Sequence, residues 1–265
     1  MRFGAQPRDH SKPAPALEHY LTDVRAFGAD PLPLSPSIVD RVSRVKTIPM
    51  YKNDAVGDCT VAAMLHMFET WAVYSGKAMD GGLFADAEAI KIYSAVSGYD
   101  PATGANDNGA QLADVCRYMV KTGAVDKAGK VHKLAAWAEI GDYSNLRLLK
   151  RTLNAFGANY LAIQVPSSAM QQFNAGQPWR YVGDQNIEGG HAIPQVYSAV
   201  NTGAWDDEQV ETWGARQKVN ESFAHAYLCE AIACVSADQV NAAGLNPAGL
   251  RLDALVHDCQ TQYMV

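Results

Sequence analysis

Two residues in this chain of 265 have the type and setting for thiol chemistry. Cys59 follows Gly57-Asp58 and opens a run in which Val61, Met64, Leu65, Phe68, Trp71 and Ala72 recur at helical spacing. A cysteine in the first turn of a helix feels the positive end of the dipole, which favours the thiolate, the form that attacks a carbonyl carbon. Most cysteines so placed are structural, and chemistry needs a base as well. His191 offers one, because Gly189-Gly190 lets the backbone run close to a neighbour and delivers the imidazole at the head of an apolar stretch. It stands 132 residues beyond Cys59 (191 − 59). An imidazole beside a thiol can take its proton and later return it to a leaving group.

The elements that must hold this pair differ between the two halves of the chain. The helix opened by Cys59 should run to the stop at Ser75-Gly76, and residues 84–98 and 110–122 read as two more helices separated by the turn-rich YDPATGANDNG. Beyond residue 150 the pattern turns β-prone: Tyr160 to Val165, Ala192 to Val200 and Gln209 to Trp213 are short and bounded by Gly, Pro, Asn and Asp, before a helix at 221–230. The expected organisation is a Pro-rich arm (1–34), a helical lobe (35–150), an antiparallel sheet lobe (151–240) and a C-terminal tail (241–265). This is an α+β arrangement with a cleft between two lobes. The arm offers one amphipathic stretch, with Leu17, Tyr20, Leu21, Val24 and Phe27 as its apolar face. It is expected to pack near the sheet lobe or on a neighbouring copy.

Composition narrows the partners. A net charge of −6, a pI near 5.6 and no Lys/Arg run longer than two argue against nucleic acid or an anionic membrane. No stretch has the length of a membrane span, and the N-terminus lacks the apolar segment of a signal peptide, so export by that route is not expected. Five cysteines at irregular spacing indicate neither a disulfide framework nor a metal site, and no cofactor motif is present. Cys116, Cys229, Cys234 and Cys259 read as small buried apolar residues. His66, His132, His225 and His257 read as solvated or satisfied histidines, and Trp71, Trp137, Trp179 and Trp205 as packing residues.

Several short motifs, in one order, resemble the papain family of cysteine peptidases. Ser35-Pro36-Ser37-Ile38-Val39-Asp40-Arg41 is similar to the start of its mature enzymes, and Asp40 and Pro49 precede Cys59 at that family's spacing. Asn108-Gly109 stands where the family has a glycine-rich cleft wall. Leu161-Ala162-Ile163, then Phe173-Asn174-Ala175-Gly176, resemble a strand and the segment after it, and Glu211-Thr212-Trp213-Gly214 resembles its Asn-Ser-Trp-Gly. The separation of Cys59 from His191 also fits the roughly 130–150 residues of papain-type enzymes.

The resemblance implies a papain-like fold, a helical lobe against a barrel-like antiparallel sheet, and a hydrolase acting on protein or peptide. It makes Cys59 the nucleophile, His191 the base, Trp213 the shield of the imidazole, and Asn108, Gly109 and Gly190 parts of the substrate cleft. Asn53 stands where the family has an oxyanion-donating Gln, and Glu211 where it has the Asn that orients the imidazole. Thr60 replaces an aromatic residue, and Asp58 places an acid beside the thiol. Only 34 residues precede the domain, and no cysteines match the disulfides of lysosomal relatives, which suggests a microbial or viral setting. NDAVGDCTVAA and GGHAIP are also similar to papain-like proteins of bacteriophages and prophages. That likeness implies a second class of function, a structural module of a virion, with other virion proteins or copies of itself as partners.

Overall fold

The computed structural model describes residues 1–25, 32, 35–77, 81–199, 208–241 and 244–264. The arm carries helix α1 (Leu17–Arg25) and is followed by a short strand, β1 (Ile38–Asp40). Helix α2 (Cys59–Tyr74) is buried from Cys59 to Val73, as expected of a helix apolar on every side. It ends at Ser75, with Gly76 in the left-handed region at φ 86°. Helices α3 (Asp86–Ser97) and α4 (Leu112–Lys121) pack on α2 and on each other. All three agree with the periodicity of the sequence.

A two-stranded ribbon, β2 (Ala124–Val125) with β3 (Val131–His132), leads into the sheet lobe. There β4 (Leu134–Glu139), α5 (Leu146–Phe156), β5 (Asn159–Pro166), α6 (Ser167–Asn174) and β6 (Ile187–Ala199) follow in turn. After them come β7 (Glu208–Thr212), β8 (Ala215–Val219), α7 (Glu221–Tyr227), β9 (Leu228–Ser236) and α8 (Asp253–Thr261). Among the described residues seven strands form one antiparallel sheet in the order β4-β9-β5-β6-β7-β8, with β1 also paired to β6. Strand β5 is central and, Gln164 apart, buried, which is why it reads as a nearly unbroken apolar run.

Several expectations change. The sheet is open, not barrel-like: β4 pairs only with β9 and β8 only with β7, and α8 packs against β4. Strands β1 and β4 belong to the sheet although they precede residue 151. The segment 241–265 is more than a tail, since α8 buries Leu255 and Cys259, and the Cys259 thiol donates to the Trp137 carbonyl. The helix expected over 221–230 stops at Tyr227, where the chain turns into β9. All five cysteines are free thiols, and Cys229 is exposed rather than buried because it sits at the start of that strand. His132 is buried between two acids, Nδ1 at 2.8 Å from Asp238 and Nε2 at 2.9 Å from Asp126. Phe27, Val200 and Trp205 lie outside the described residues. No described helix is long and apolar enough to cross a membrane.

Candidate active site

The first turn of α2 presents Cys59, and β6 presents His191 opposite Ile163 of β5. Helix α2 packs against β6, so both residues line one small cavity with Asn53, His66, Glu211, Thr212 and Trp213. The cavity measures about 10 Å³, room for one water at most. His191 lies within its strand, which begins at Ile187, rather than at the strand's head as the glycines suggested.

The imidazole is held on two sides. Trp213 stacks on its face, with ring centroids 4.2 Å apart and planes inclined by 22°. Its Nε2 lies 2.7 Å from the Thr212 hydroxyl, while Nδ1 has no partner. The hydrogen-bond partner of His191 is therefore Thr212, one residue after Glu211. Glu211 lines the same cavity and is buried, its Oε1 unpartnered, and burial pushes its pKa up to about 8, so it is uncharged at neutral pH. The local cause is the tight connection of β7 to β8. Trp213 (φ 45°) and Gly214 (φ 73°) both adopt left-handed backbone, as a two-residue hairpin turn of this hand requires. An indole at such a position is strained, and the strain is spent in laying the ring over His191 and bringing Thr212 to its edge.

Asn53 is presented by a second left-handed pair, Tyr51 (φ 52°) and Lys52 (φ 71°). Its side-chain amide donates to the carbonyls of Arg2 (3.4 Å) and Val56 (3.3 Å). The side chain expected to donate to an oxyanion thus reaches a main-chain carbonyl lying in the cleft. Asp58 is fully buried and caps no helix N–H, and the side chain beside it that favours its carboxylate is the Asn53 amide. Burial raises its pKa to about 8, so near neutral pH it sets no full charge beside the thiol.

The cleft is filled by the chain's own arm. Arg2 N–H donates to the Asn53 carbonyl (3.0 Å), and the N–H groups of Gly4 and Ala5 donate to the Gly190 carbonyl (3.1 and 3.0 Å). On the opposite wall Ala110 N–H donates to the Gly4 carbonyl (2.8 Å) and Gln6 N–H to the Ala110 carbonyl (2.9 Å). Asn108 accepts from the Gln6 side chain. A Cβ on Gly4 would stand 1.7 Å from the Gly57 carbonyl, and one on Gly109 or Gly190 would stand 2.0 or 2.2 Å from arm carbonyls. The three glycines are what allow a strand to lie there. Phe3 closes the end of the cleft, edge-on to His191 (6.2 Å) and Trp213 (5.9 Å). The arm therefore bridges both lobes, not the sheet lobe alone.

This cover sets the electrostatics. Burial pushes the Cys59 thiol up to about 12, against the opposing effect of the Ala192 and Gly4 backbone amides. Burial, with a smaller contribution from His66, lowers His191 to about 3, and burial lowers His66 to about 4. The closed site holds a thiol and a neutral imidazole, not an ion pair.

Sequence reasoning did not single out Thr212, His66 or the arm's Phe3-Gly4. His66 was legible in principle, seven residues after Cys59 on one face of α2 with Ala62 and Ala63 between. Thr212 and Gly4 carried no such signal. Among the described residues no group of three His, Cys, Asp or Glu is placed to hold a metal ion.

No family model and no curated protein matches the chain. Solved structures do. Xylellain, a cysteine protease from Xylella fastidiosa, superposes with a TM-score of 0.59 at 13% identity, over 88% of this chain and 95% of that one. Procathepsin B from Trypanosoma congolense gives 0.58 at 13% identity, over 89% and 86%. The bromelain protease from Ananas comosus, in complex with the E64 inhibitor, gives 0.54 at 10% identity, over 76% and 99%. At these identities the likeness establishes the papain-like fold.

Proposed function

We propose that the chain is a cysteine hydrolase of the peptidase type, acting through Cys59 and His191 and kept latent by residues 2–6. The observation that carries this reading is the shared cavity of Cys59 and His191 beneath Trp213, at the N-terminus of α2. The polarity of the imidazole fits: with Nε2–H donating to Thr212, the free Nδ1 lone pair is the one that accepts the thiol proton. Cys59 attacks the substrate carbonyl, and the Asn53 amide with the Cys59 N–H receives the oxyanion. His191 then protonates the departing amine, and water attacking the acyl-enzyme restores the thiol. Trp213 keeps solvent from the Nε2–Thr212 bond. Protein or peptide chains are the substrates, since the cleft already seats a main-chain segment by hydrogen bonds on both walls.

The test is labelling by an epoxide of the E64 type, read by peptide mass spectrometry. In the full chain carrying Gly4→Val, which expels the arm, Cys59 is expected to be the modified residue, and adding His191→Ala should abolish the modification. Modification of Cys59 no faster than of exposed Cys229 would overturn the assignment.

A further inference from the structure

At the far end of α2 from Cys59, roughly 20 Å along the helix, lies a cavity of about 200 Å³. Its walls are the C-terminal ends of α2 and α5, with Arg41 after β1 and Gln239 after β9. Trp71 and Tyr74 give it aromatic surface, and Trp71 ties the two helix ends together, its indole N–H donating to the Phe156 carbonyl at 2.9 Å. The lining holds one cation, Arg41, and no acid. The Arg41 guanidinium lies over the Tyr74 ring, 5.5 Å from its centroid, and makes no ion pair with a described residue. Its neighbour Asp40 is occupied, accepting from the Val42 and Ser43 N–H groups and from the Tyr74 hydroxyl. Thr70, in the same wall, is fully buried, and its hydroxyl has no partner in the protein. A buried hydroxyl left unsatisfied is costly, and a guanidinium without a carboxylate keeps its fork of donors for another anion. Helix C-termini ordinarily favour cations, but here the carbonyls are taken. Those of Ala155 and Phe156 accept from Asn246 and Trp71, and those of Trp71, Ala72 and Val73 from the N–H groups of Ser75, Lys77 and Gly76.

We propose that this cavity binds a small carboxylate with an apolar body, Arg41 pairing with the carboxylate and Trp71 and Tyr74 packing on the body. A single cation matches a monoanion, whereas a phosphate group, at about −1.5 to −2, would be left half neutralised. An apolar cavity of about 150 Å³ holds benzene, so the space here takes a ligand the size of benzoate. The site shares no residue with the Cys59 cavity and does not depend on the peptidase reading. Benzoate titrated into the full wild-type chain, followed by calorimetry and by the Trp71 indole N–H in NMR, is expected to bind and to shift that resonance. Benzamide, of the same shape but uncharged, should bind about tenfold or more weakly, and Arg41→Gln should cost benzoate a similar factor. Ser75→Phe, on the exposed rim, should block both probes. Arg44→Gln should leave the affinity unchanged, because Arg44 lies over the same Tyr74 ring, 5.4 Å from its centroid, but outside the cavity. Absence of binding, equal binding of benzoate and benzamide, or a loss in Arg44→Gln as large as in Arg41→Gln overturns the site. Inorganic phosphate binding more tightly than benzoate overturns the ligand class.

Discussion

Replacing Gly4 by valine is the sharpest perturbation the structure offers. The new Cβ would fall 1.7 Å from the Gly57 carbonyl oxygen and 2.4 Å from its carbon, backbone atoms that cannot yield cheaply. Relief requires the arm to leave. Gly4 itself makes two backbone hydrogen bonds, to Gly190 and from Ala110, each contributing about 1 kcal/mol net. Those bonds are lost on opening in the wild type and the variant alike, so the shift comes from the overpacked contact alone, up to about 3 kcal/mol. A shift of about 3 kcal/mol toward the open form corresponds to roughly 100-fold more open chain. Cys59 labelling by iodoacetamide, when it proceeds through that open form, should accelerate by about the same factor. Buried Cys116 serves as the internal control, since the arm does not cover it. The pH dependence should change as well. Wild-type labelling should rise only toward the thiol's raised pKa of about 12, whereas the opened thiol, hydrated and at a helix N-terminus, should react at far lower pH. A folded Gly4→Val protein whose Cys59 stays as slow as Cys116 would refute the argument that the arm is the cover.

Other outcomes follow from the same geometry. Thr212→Val removes the acceptor for His191 Nε2 and should lower kcat of the opened enzyme by about tenfold or more, whereas Thr212→Ser should retain most of it; equal losses in both would remove the orienting role. Asn53→Ala should reduce kcat by roughly 100-fold with little change in KM, and a pure KM effect would deny it the oxyanion. Stability should depend on pH in a defined window. Buried Asp58, Glu69, Glu211 and Glu230 are raised to about 8, 7, 8 and 7, while His66 and His191 are lowered to about 4 and 3. Below pH of about 6.5 the two sets oppose one another, because the unfolded histidines gain protons that the folded ones refuse. Above it only the carboxyls count: the folded chain holds protons the unfolded chain has lost, so stability falls as pH climbs to about 8. Tm by calorimetry should therefore decrease from pH 6.5 to 8.5, less steeply in Asp58→Asn, and a Tm that rises over that range would contradict the burial of these acids.

What could be read without coordinates was local. Helix α2 was legible to within a residue or two because its apolar pattern is long and is closed by Ser75-Gly76, and β5 because a central strand must be apolar on both faces. Cys59 and His191 stood out through their immediate settings, a helix start and a glycine pair, and through a spacing that fits a known family; the suggestion of a phage setting rests on the sequence alone. What depended on pairing partners was not legible. Strand β9 mixes helix-compatible Leu228, Glu230, Ala231 and Ala233 with β-prone Ile232 and Val235, and its place between β4 and β5 makes it extended. The choice of Thr212 over Glu211 was decided by a left-handed turn at Trp213, which a non-glycine residue adopts only under tertiary constraint. The arm's course was decided by three glycines distant in sequence, Gly4, Gly109 and Gly190, whose missing side chains let the arm lie in the cleft only once the two lobes face each other.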